Sequence, residues 1–430
     1  MKLLTQMNRL PLLLPLLTTL CFIGFEPTSA STISPTTSTS SRPITFPKID
    51  RHPSPMEYPI EVMTSVPKYD PKPNDDSSLA LDLRAYDLST LDLSSSLYDL
   101  LYASFDDRTI WPPDDRMPQG FDRQRIMELG ADPGLGVRDL HMQGITGKDV
   151  GIAIIDQTLL VDHQEYASQL QLYEETDDIT SDSTADFGPM ESSMHGPALA
   201  SIAVGQTVGV APGADLYYIA TNFGIGPGEE EVDLTYIADG IHRILEINQQ
   251  LPQERKIRVI AIPMGWRPDK KGYDEVTSAV EEAEATGMLV VYSSIEVVRG
   301  FKFHGLGRAP LSDPGAAESY EPGLFWAEDF YNGERFSDRL LVPMDSRTTA
   351  SPKGDDEYVF YREGGWSWSI PYIAGVYALA AQVDPAITPE QFWSLAMQTG
   401  HTIDLDHKDE IIPFGPIIDP IALIDALQCK

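Results

Sequence analysis

Three residues far apart in the sequence, Asp156, His195 and Ser367, have the side chains needed for nucleophilic attack on an acyl carbon. A serine hydroxyl becomes a nucleophile when an imidazole takes its proton, and the imidazole needs a carboxylate to fix its tautomer and stabilise its cation. Taken singly, each has an ordinary structural interpretation as the end of a strand, a helix-capping histidine or a serine N-cap. Together, in the order Asp, His, Ser, they form one of the known triad orders and predict acyl-transfer chemistry.

Asp156 and His195 both lie where a regular element is expected to begin or end. Asp156 follows the apolar run VGIAII (150–155), which is typical of a buried parallel strand, and sites collect where such strands end. His195 opens HGPALASIAVG (195–205), whose small apolar residues predict a tightly packed helix. Both side chains can therefore face a cleft.

Ser367 lies in GGWSWSIP (364–371), just before an apolar helix predicted at residues 368–383. At a helix N-terminus the dipole and the free backbone N–H groups stabilise negative charge. The tetrahedral oxyanion that forms when a serine attacks a carbonyl carbon would be stabilised at that position.

Strands and helices alternate from about residue 135 onward, which predicts an α/β domain with a mainly parallel central sheet over residues 135–430. Further strands are expected at residues 216–221, 259–264 and 288–294, and helices at residues 232–248 and 273–286. A capping box at Thr388 predicts another helix that ends at Gly400. Residues 295–364, rich in Gly, Pro and charge, are expected to be irregular.

Four motifs in this order resemble those of the subtilase family, the subtilisin-like serine peptidases. They are GKDVGIAIID (147–156), His195-Gly196 with Ala200 and Gly205, GVAPGA (209–214), and Gly365-x-Ser367-x-x-x-Pro371. The resemblance implies a three-layer subtilisin-like fold with Asp156, His195 and Ser367 as the catalytic triad. It also implies a serine endopeptidase that hydrolyses polypeptide substrates through an acyl-enzyme.

The resemblance implies no required cofactor, although many subtilases bind Ca²⁺. Candidate acidic ligands are Asp177, Asp178, Asp355 and Asp356, for which solvated surface is the simpler interpretation. The sequence has no EF-hand spacing that would support a calcium site at these residues.

The segment expected to form the oxyanion hole departs from the family pattern. LVVYSSIE (289–296) stands where relatives have a strand ending in Asn, and Glu296 falls on the Asn position. An ionised carboxylate cannot donate a hydrogen bond, and losing one such donor costs about 2.7–4 kcal/mol. Ser294 or Ser293 is the alternative donor, and Glu296 could donate only when protonated. Gly265 in PMGW (263–266) matches a strand that lines the substrate groove in relatives.

The composition excludes several classes of function. The formal net charge is −34, with 31 Lys and Arg against 65 Asp and Glu, which opposes binding to nucleic acid or to an anionic membrane surface. The two cysteines, Cys21 and Cys429, are too few for a disulfide framework or a cysteine-rich zinc site. The sequence does not indicate an oligomeric state.

The N-terminus has the pattern of an export signal. Lys2 and Arg9 precede the apolar stretch 10–25, and small residues at 28–30 would allow cleavage before Ser31, which predicts a signal peptide at residues 1–30 and a secreted or cell-surface protein. An uncleaved membrane anchor is the alternative. Residues 31–75, rich in Ser, Thr and Pro, are expected to be flexible. Residues 76–134 are an N-terminal extension or a pro-segment, in which Asp-Leu recurs every five residues over 80–94 and predicts a local strand-and-turn segment.

Two other functions stay open at this point. A catalytically impaired subtilase relative could act as a surface or binding protein, which the substituted oxyanion segment favours. An esterase of the α/β-hydrolase type would use Ser367 with Asp404 and His407, which follow in the required order. That interpretation leaves His195-Gly196 without a role.

Overall fold

A mainly apolar sheet of six parallel strands lies at the centre of the domain, within the residues that the structure describes. The structure is a computed structural model that describes residues 44–71, 80–180, 191–225, 232–333 and 335–429. The strands are, in chain order, β1 (Lys48–Ile49), β2 (Glu61–Val62), β3 (Leu81–Asp82), β4 (Tyr86–Asp87), β5 (Ala103–Asp106), β6 (Gly151–Asp156), β7 (Leu170–Glu175), β8 (Asp215–Ala220), β9 (Ile257–Ile262), β10 (Leu289–Tyr292), β11 (Phe303–Arg308), β12 (Tyr320–Pro322), β13 (Leu340–Pro343), β14 (Arg347–Ala350), β15 (Tyr358–Tyr361), β16 (His401–His407) and β17 (Glu410–Ile417).

The described residues also form α-helices. They are α1 (Leu97–Leu100), α2 (Arg123–Gly130), α3 (Val137–Met142), α4 (Asp177–Thr180), α5 (His195–Val204), α6 (Thr235–Gln250), α7 (Tyr273–Ala285), α8 (Ile295–Arg299), α9 (Ala327–Tyr331), α10 (Trp366–Val383), α11 (Pro389–Thr399) and α12 (Pro420–Gln428). In the part of the chain with described coordinates, none of them is long and apolar enough to cross a membrane.

The central sheet has the order β1-β7-β8-β6-β9-β10, and every neighbouring pair is parallel. The four strands predicted from apolar runs are β6, β8, β9 and β10, each displaced by a residue or two. All six residues of β6 are buried, which is why its sequence shows no alternation. The carboxyl ends of β6, β9 and β10 meet at one edge of the sheet.

Helices cover both faces of the sheet and make three layers. Gly240 of α6 packs against Ile155 and Ile219, whereas Gly196 of α5 lies against the hydroxyl of Tyr218. Because Tyr218 and Ile219 are successive residues of β8, their side chains point to opposite faces. The predicted three-layer α/β fold is therefore confirmed.

The expectation that residues 295–364 are irregular was wrong. This stretch contains α8, α9 and five strands, β11 to β15. Each strand is short, and β11 includes two glycines, so the sequence offers no long apolar alternation. β11 and β13 belong to a second sheet with β17, and β14 pairs with β15.

Part of the segment expected to be flexible packs on the domain instead. Lys48 and Ile49 form the edge strand β1 beside β7, and Arg51 forms a 2.6 Å ion pair with Glu175. Phe46 and Ile49 pack against the main core. Residues 46–51 therefore contact the domain, because apolar anchors follow the Ser/Thr-rich start. The predicted signal peptide (1–30) and residues 31–43 lie outside the described residues.

Residues 80–130 pack in the same unit through a small core of their own. The leucines of the Asp-Leu repeat, Leu83, Leu88 and Leu93, are buried there with Phe105 and Phe360. The short strands β3 and β4 confirm a strand-and-turn segment. β5 pairs antiparallel with β15, which lies more than two hundred residues further along the chain.

Candidate active site

Asp156 and His195 are hydrogen-bonded at the carboxyl edge of the central sheet. Asp156 ends β6 with 1% of its surface exposed, and its Oδ2 lies 2.6 Å from Nδ1 of His195. His195 is the first residue of α5, whose first turn is held by Ser193. The Ser193 hydroxyl accepts from the Gly196 N–H at 2.9 Å and donates to the Thr158 carbonyl at 2.8 Å.

Gly196 allows this close approach of α5 to the end of β6. A Cβ at that position would lie 2.6 Å from the Tyr218 hydroxyl and 2.7 Å from the Thr158 carbonyl oxygen. Both atoms are fixed in the core, so any larger residue would push His195 away from Asp156.

The pKa of His195 is raised above its ordinary value. Burial alone would lower the pKa of the imidazole, but the charge of Asp156 and the hydrogen bond to it more than offset burial. The protonated imidazole is therefore stabilised by a fixed carboxylate, as a general base requires.

Ser367 lies in the first turn of α10, beside His195. The helix begins at Trp366, earlier than the sequence predicted, after Gly365 with φ 66° and ψ 171°, a conformation that favours glycine. The ring of Trp368 contacts that of His195 edge to face, with centroids 5.4 Å apart. Within this turn the Trp368 N–H donates to the Gly365 carbonyl oxygen at 3.2 Å.

The Ser367 hydroxyl does not bond to His195 in this structure. It donates instead to the carbonyl oxygen of Pro263 at 3.3 Å, and among the described residues no hydrogen bond joins it to the imidazole. Pro263 directly follows β9, so Ser367 lies at the same sheet edge as Asp156. The structure thus brings the three predicted residues to one edge, with one of the two triad hydrogen bonds formed.

The predicted oxyanion residues separate into two groups. The Glu296 carboxylate forms an ion pair with Arg339 at 2.6 Å and lies 3.6 Å from Lys302, so it accepts hydrogen bonds there and has none to donate. The Ser294 hydroxyl accepts from the Trp266 N–H at 3.1 Å, and it donates to no other group among the described residues. A Cβ at Gly265 would lie 3.4 Å from Ser294 N, so Gly265 and Ser294 are neighbours.

Sequence reasoning missed a buried carboxylate that holds the turn before Ser367. Asp345 accepts from the Gly364 N–H at 3.0 Å and from the Leu324 N–H at 2.8 Å. Burial raises the pKa of Asp345 to about 7, although the charge of Arg362 and the two N–H groups act in the opposite direction. One aspartate without a motif gives no signal for such a role.

An aromatic cluster around Trp366, the residue before Ser367, was also missed. Trp366 is 37% exposed, and its indole N–H donates to His304 Nδ1 at 3.3 Å. Burial, together with the charge of Arg339, lowers the pKa of His304 to about 3, so this ring is neutral and can accept. Phe325, 38% exposed, meets Trp366 edge to face.

The residues proposed for an esterase do not join the site. Asp404 and His407 belong to the exposed strand β16, where His407 stacks on Tyr331 with centroids 4.0 Å apart. This corrects the esterase alternative, because Trp368, the residue after Ser367, contacts His195 instead. Within the described residues, no group of three or more His, Cys, Asp or Glu side chains is arranged to hold a metal ion.

Of two cavities, one lies at the far edge of the central sheet and the other lies near Ser367 and His195. One of 940 Å³ is lined by Val150, Ile257 and Met288, which lie at the amino ends of β6, β9 and β10. It is therefore at the opposite edge from Asp156. Another, of 350 Å³, is lined by Gly365, Trp368 and Met194, which flank Ser367 and His195.

Comparison with solved structures finds distant likeness to subtilisin-like enzymes. The prenylagaramide maturation protease PagA is 14% identical, with 69% of this chain and 99% of that chain covered and a TM-score of 0.46. Fervidolysin from Fervidobacterium pennivorans, a keratinolytic enzyme related to subtilisin, is 16% identical over 69% of this chain and 45% of its own, with a TM-score of 0.46. A cold-adapted subtilisin-like serine proteinase is 17% identical over 59% of this chain and 83% of its own, with a TM-score of 0.40.

Comparison with family models gives a match to the subtilase family over residues 147–320. The match includes Asp156, His195 and the segment around Ser294, and it ends before Ser367. It confirms the resemblance inferred from the motifs. The similarity of this chain to the subtilase family therefore covers residues 147–320.

Proposed function

We propose that this chain is an exported serine endopeptidase, with Ser367 as nucleophile, His195 as general base and Asp156 as the carboxylate that orients the base. The observation that carries the proposal is the 2.6 Å hydrogen bond between Asp156 and His195. With the proton of the neutral ring on Nδ1, Nε2 is the free base. The contact of Trp368 with the imidazole supports the nearness of Ser367, the residue before it.

The reaction follows from these positions. Ser367 Oγ forms a bond to the carbonyl carbon of the scissile peptide while its proton passes to His195 Nε2. The start of α10, through its helix dipole and backbone N–H groups, stabilises the oxyanion. Collapse of this intermediate breaks the C–N bond, and His195 returns the proton to the leaving amine. Water then hydrolyses the acyl-enzyme with the same base.

Attack requires Ser367 to exchange its hydrogen bond to Pro263 for one to His195. A change of serine rotamer redirects the hydroxyl. Catalytic hydrogen bonds of substrate-free enzymes often form only when substrate is bound. The hydrogen bond to Pro263 is therefore compatible with catalysis.

The test is to incubate purified residues 31–430 with casein and a fluorophosphonate probe. We expect casein fragments and a single labelled peptide that contains Ser367. Ser367→Ala should abolish both, and Ser394→Ala, an exposed serine on α11, should change neither. Full proteolysis by Ser367→Ala would exclude this nucleophile, and full activity of His195→Ala would exclude the assigned base.

Export is a separate part of the proposal, supported by the pattern of residues 1–30. The mature protein recovered outside the cell should begin at or near Ser31. Recovery of the intact N-terminus in the membrane fraction would contradict cleavage of a signal peptide.

The alternative is a catalytically impaired relative that acts as a surface or binding protein. The hydrogen bond of Ser367 to Pro263 is the observation that favours it. Fluorophosphonate labelling distinguishes the two functions, because an impaired protein would not react at Ser367.

A further inference from the structure

The N-terminal wall, defined here as residues 80–106, is joined to the chain segment that leads into Ser367. Phe105 of β5 pairs with Phe360 of β15. Immediately after β15, the Arg362 N–H donates to the Ser104 hydroxyl at 3.0 Å. The wall therefore holds the backbone only a few residues before the candidate nucleophile.

A buried ion pair fastens the wall to the rest of the domain. Lys353 Nζ lies 2.9 Å from Asp106, and the two side chains are 8% and 1% exposed. Removing the wall would leave Lys353 without its partner carboxylate, a costly state for a buried charge. It would also uncover Phe360, which packs with the leucines of the wall.

The wall also forms one side of a cavity that adjoins the segments carrying His195 and Ser367. The 350 Å³ cavity that touches Gly365, Trp368 and Met194 is closed on its other side by residues 80–82, Arg84 and Ser104. A second cavity of 340 Å³ shares four lining residues with it, which are Asp82, Arg84, Met194 and Tyr361. The cavity beside Gly365 and Trp368 thus continues along the wall.

A chain of ring contacts connects Arg84 of the wall with His195. The Arg84 guanidinium is held by Asp82 at 2.7 Å, donates to the Tyr361 hydroxyl at 3.2 Å and lies over the Tyr361 ring. Tyr361 meets Trp368 edge to face at 5.1 Å, and Trp368 meets His195 at 5.4 Å. Tyr361 and Trp368 are both buried, so a displacement of one ring is passed to the next.

We propose that residues 80–106 are a permanent wall of the substrate cleft, and that Arg84 is a positioning residue for His195 acting through Tyr361 and Trp368. The proposal rests on the proposed function. The occupant of the cleft is the polypeptide substrate on the wall side of the scissile bond. Residues 80–106 then stay with the active enzyme and do not leave as a pro-segment.

The first test determines which residues the active enzyme retains. Fluorophosphonate-labelled protein is separated by size-exclusion chromatography and analysed by mass spectrometry. We expect labelled Ser367 in a species that contains residues 80–106, on the same chain or as a bound fragment. A labelled, proteolytically active species that lacks these residues would overturn the proposal that they form a permanent wall.

The second test compares Arg84→Gln with Arg125→Gln, which removes an exposed arginine of α2 that forms a surface ion pair with Glu128. Rates are normalised to the sites titrated with fluorophosphonate. We expect kcat per titrated site to fall roughly 10-fold in Arg84→Gln, because a small displacement of a catalytic base is costly. It should be unchanged in Arg125→Gln and partly restored in Arg84→Lys.

A spectroscopic measurement separates positioning from simple destabilisation. The proton in the His195–Asp156 hydrogen bond, followed by NMR, should shift or broaden in Arg84→Gln and keep its position in Arg125→Gln. A lower melting temperature, with the chemical shift of this proton and kcat per titrated site both unchanged, would overturn the positioning role. If Arg84→Gln does not fold, Tyr361→Phe removes only the hydroxyl, and an unshifted proton there would overturn it as well. Wild-type protein that does not react with the probe contradicts the proposed function, whereas a reactive wild type matched by Arg84→Gln contradicts only this inference.

Discussion

The hydrogen bond between Asp156 and His195 has a direct consequence for the pH dependence of the proposed reaction. The base acts only when neutral, and the pKa of His195 is raised by Asp156 against the effect of burial. We therefore expect kcat/KM to rise with pH through a value above about 6.5, the ordinary value for histidine.

Asp156→Asn tests this cause. It removes the charge while burial remains, so the acid limb of the profile should move to lower pH. The rate should also fall by about 10⁴, because the amide does not hold the required tautomer. Kinetics between pH 5 and 9 provide the check, and an acid limb that stays in place would contradict the role of Asp156.

The ion pair of Glu296 with Arg339 leads to a prediction for the oxyanion hole. Because this carboxylate is engaged as an acceptor, Glu296→Gln should leave the shape of the pH–rate profile unchanged. Ser294 has a hydroxyl proton to donate, and Ser294→Ala should lower kcat by about 10² or more if it serves the oxyanion.

Ser293→Ala tests the other serine named as a donor, which precedes Ser294 after β10, and Ser394→Ala on the exposed surface of α11 is the control. Activity that persists on the alkaline side only in Glu296→Gln would restore the protonated-Glu296 hypothesis. Equal rates for the two serine variants and the wild type would leave the oxyanion to the N–H groups of α10 alone.

Among the elements, the turn between β15 and α10 depends on the buried carboxylate of Asp345. Its pKa of about 7 in the folded protein is above the ordinary value of about 3.9, so the fold binds a proton that the unfolded chain releases. The stabilisation from this group is fully present below pH 4 and is lost as the pH rises through about 7. Since each pH unit is worth about 1.4 kcal/mol, the loss is on the order of 4 kcal/mol.

Asp345→Asn cannot ionise and should lack this pH dependence. The free energy of unfolding of the wild type minus that of the variant should therefore decrease between pH 4 and pH 8. Chemical denaturation across that range measures the difference. Asp404→Asn, an exposed aspartate of β16, is the control, and parallel curves for wild type and Asp345→Asn would contradict the prediction.

The elements also show which parts of the fold the sequence could predict. The strand before Asp156 and the helix capped by Thr388 were predicted because their signals are local: an apolar run and a capping box that the structure contains. The pairing of β5 with β15 depends on residues more than two hundred positions apart, which no local pattern reveals. The burial of Asp345 and the ion pair of Glu296 could not be predicted for the same reason, since both depend on partners that are remote in the sequence. The motifs therefore indicated the candidate catalytic residues, while the surrounding contacts came only from the structure.

At the scale of the whole molecule, two features bear on how substrate reaches the site. The 350 Å³ cavity near Gly365 and Trp368 is also lined by residues 80–82, Arg84 and Ser104, so its shape depends on segments far apart in the sequence. The chain as a whole has a net charge of −34. Such a charge creates a potential that attracts cations and repels anions over distances of about the Debye length, roughly 10 Å at 0.1 M salt.

We therefore expect the charge of a substrate to affect its rate of cleavage at low ionic strength. Of two peptides with the same cleavage site, one flanked by lysines should have a kcat/KM at least about 10-fold higher than one flanked by glutamates in dilute buffer, because attraction raises the rate of encounter. The ratio should fall toward one as NaCl is raised, since salt screens charges that are not in direct contact. A neutral peptide with the same cleavage site controls for effects of salt on the enzyme itself. A ratio that does not change with salt would show that contacts in the cleft, and not the field of the acidic molecule, distinguish the two peptides.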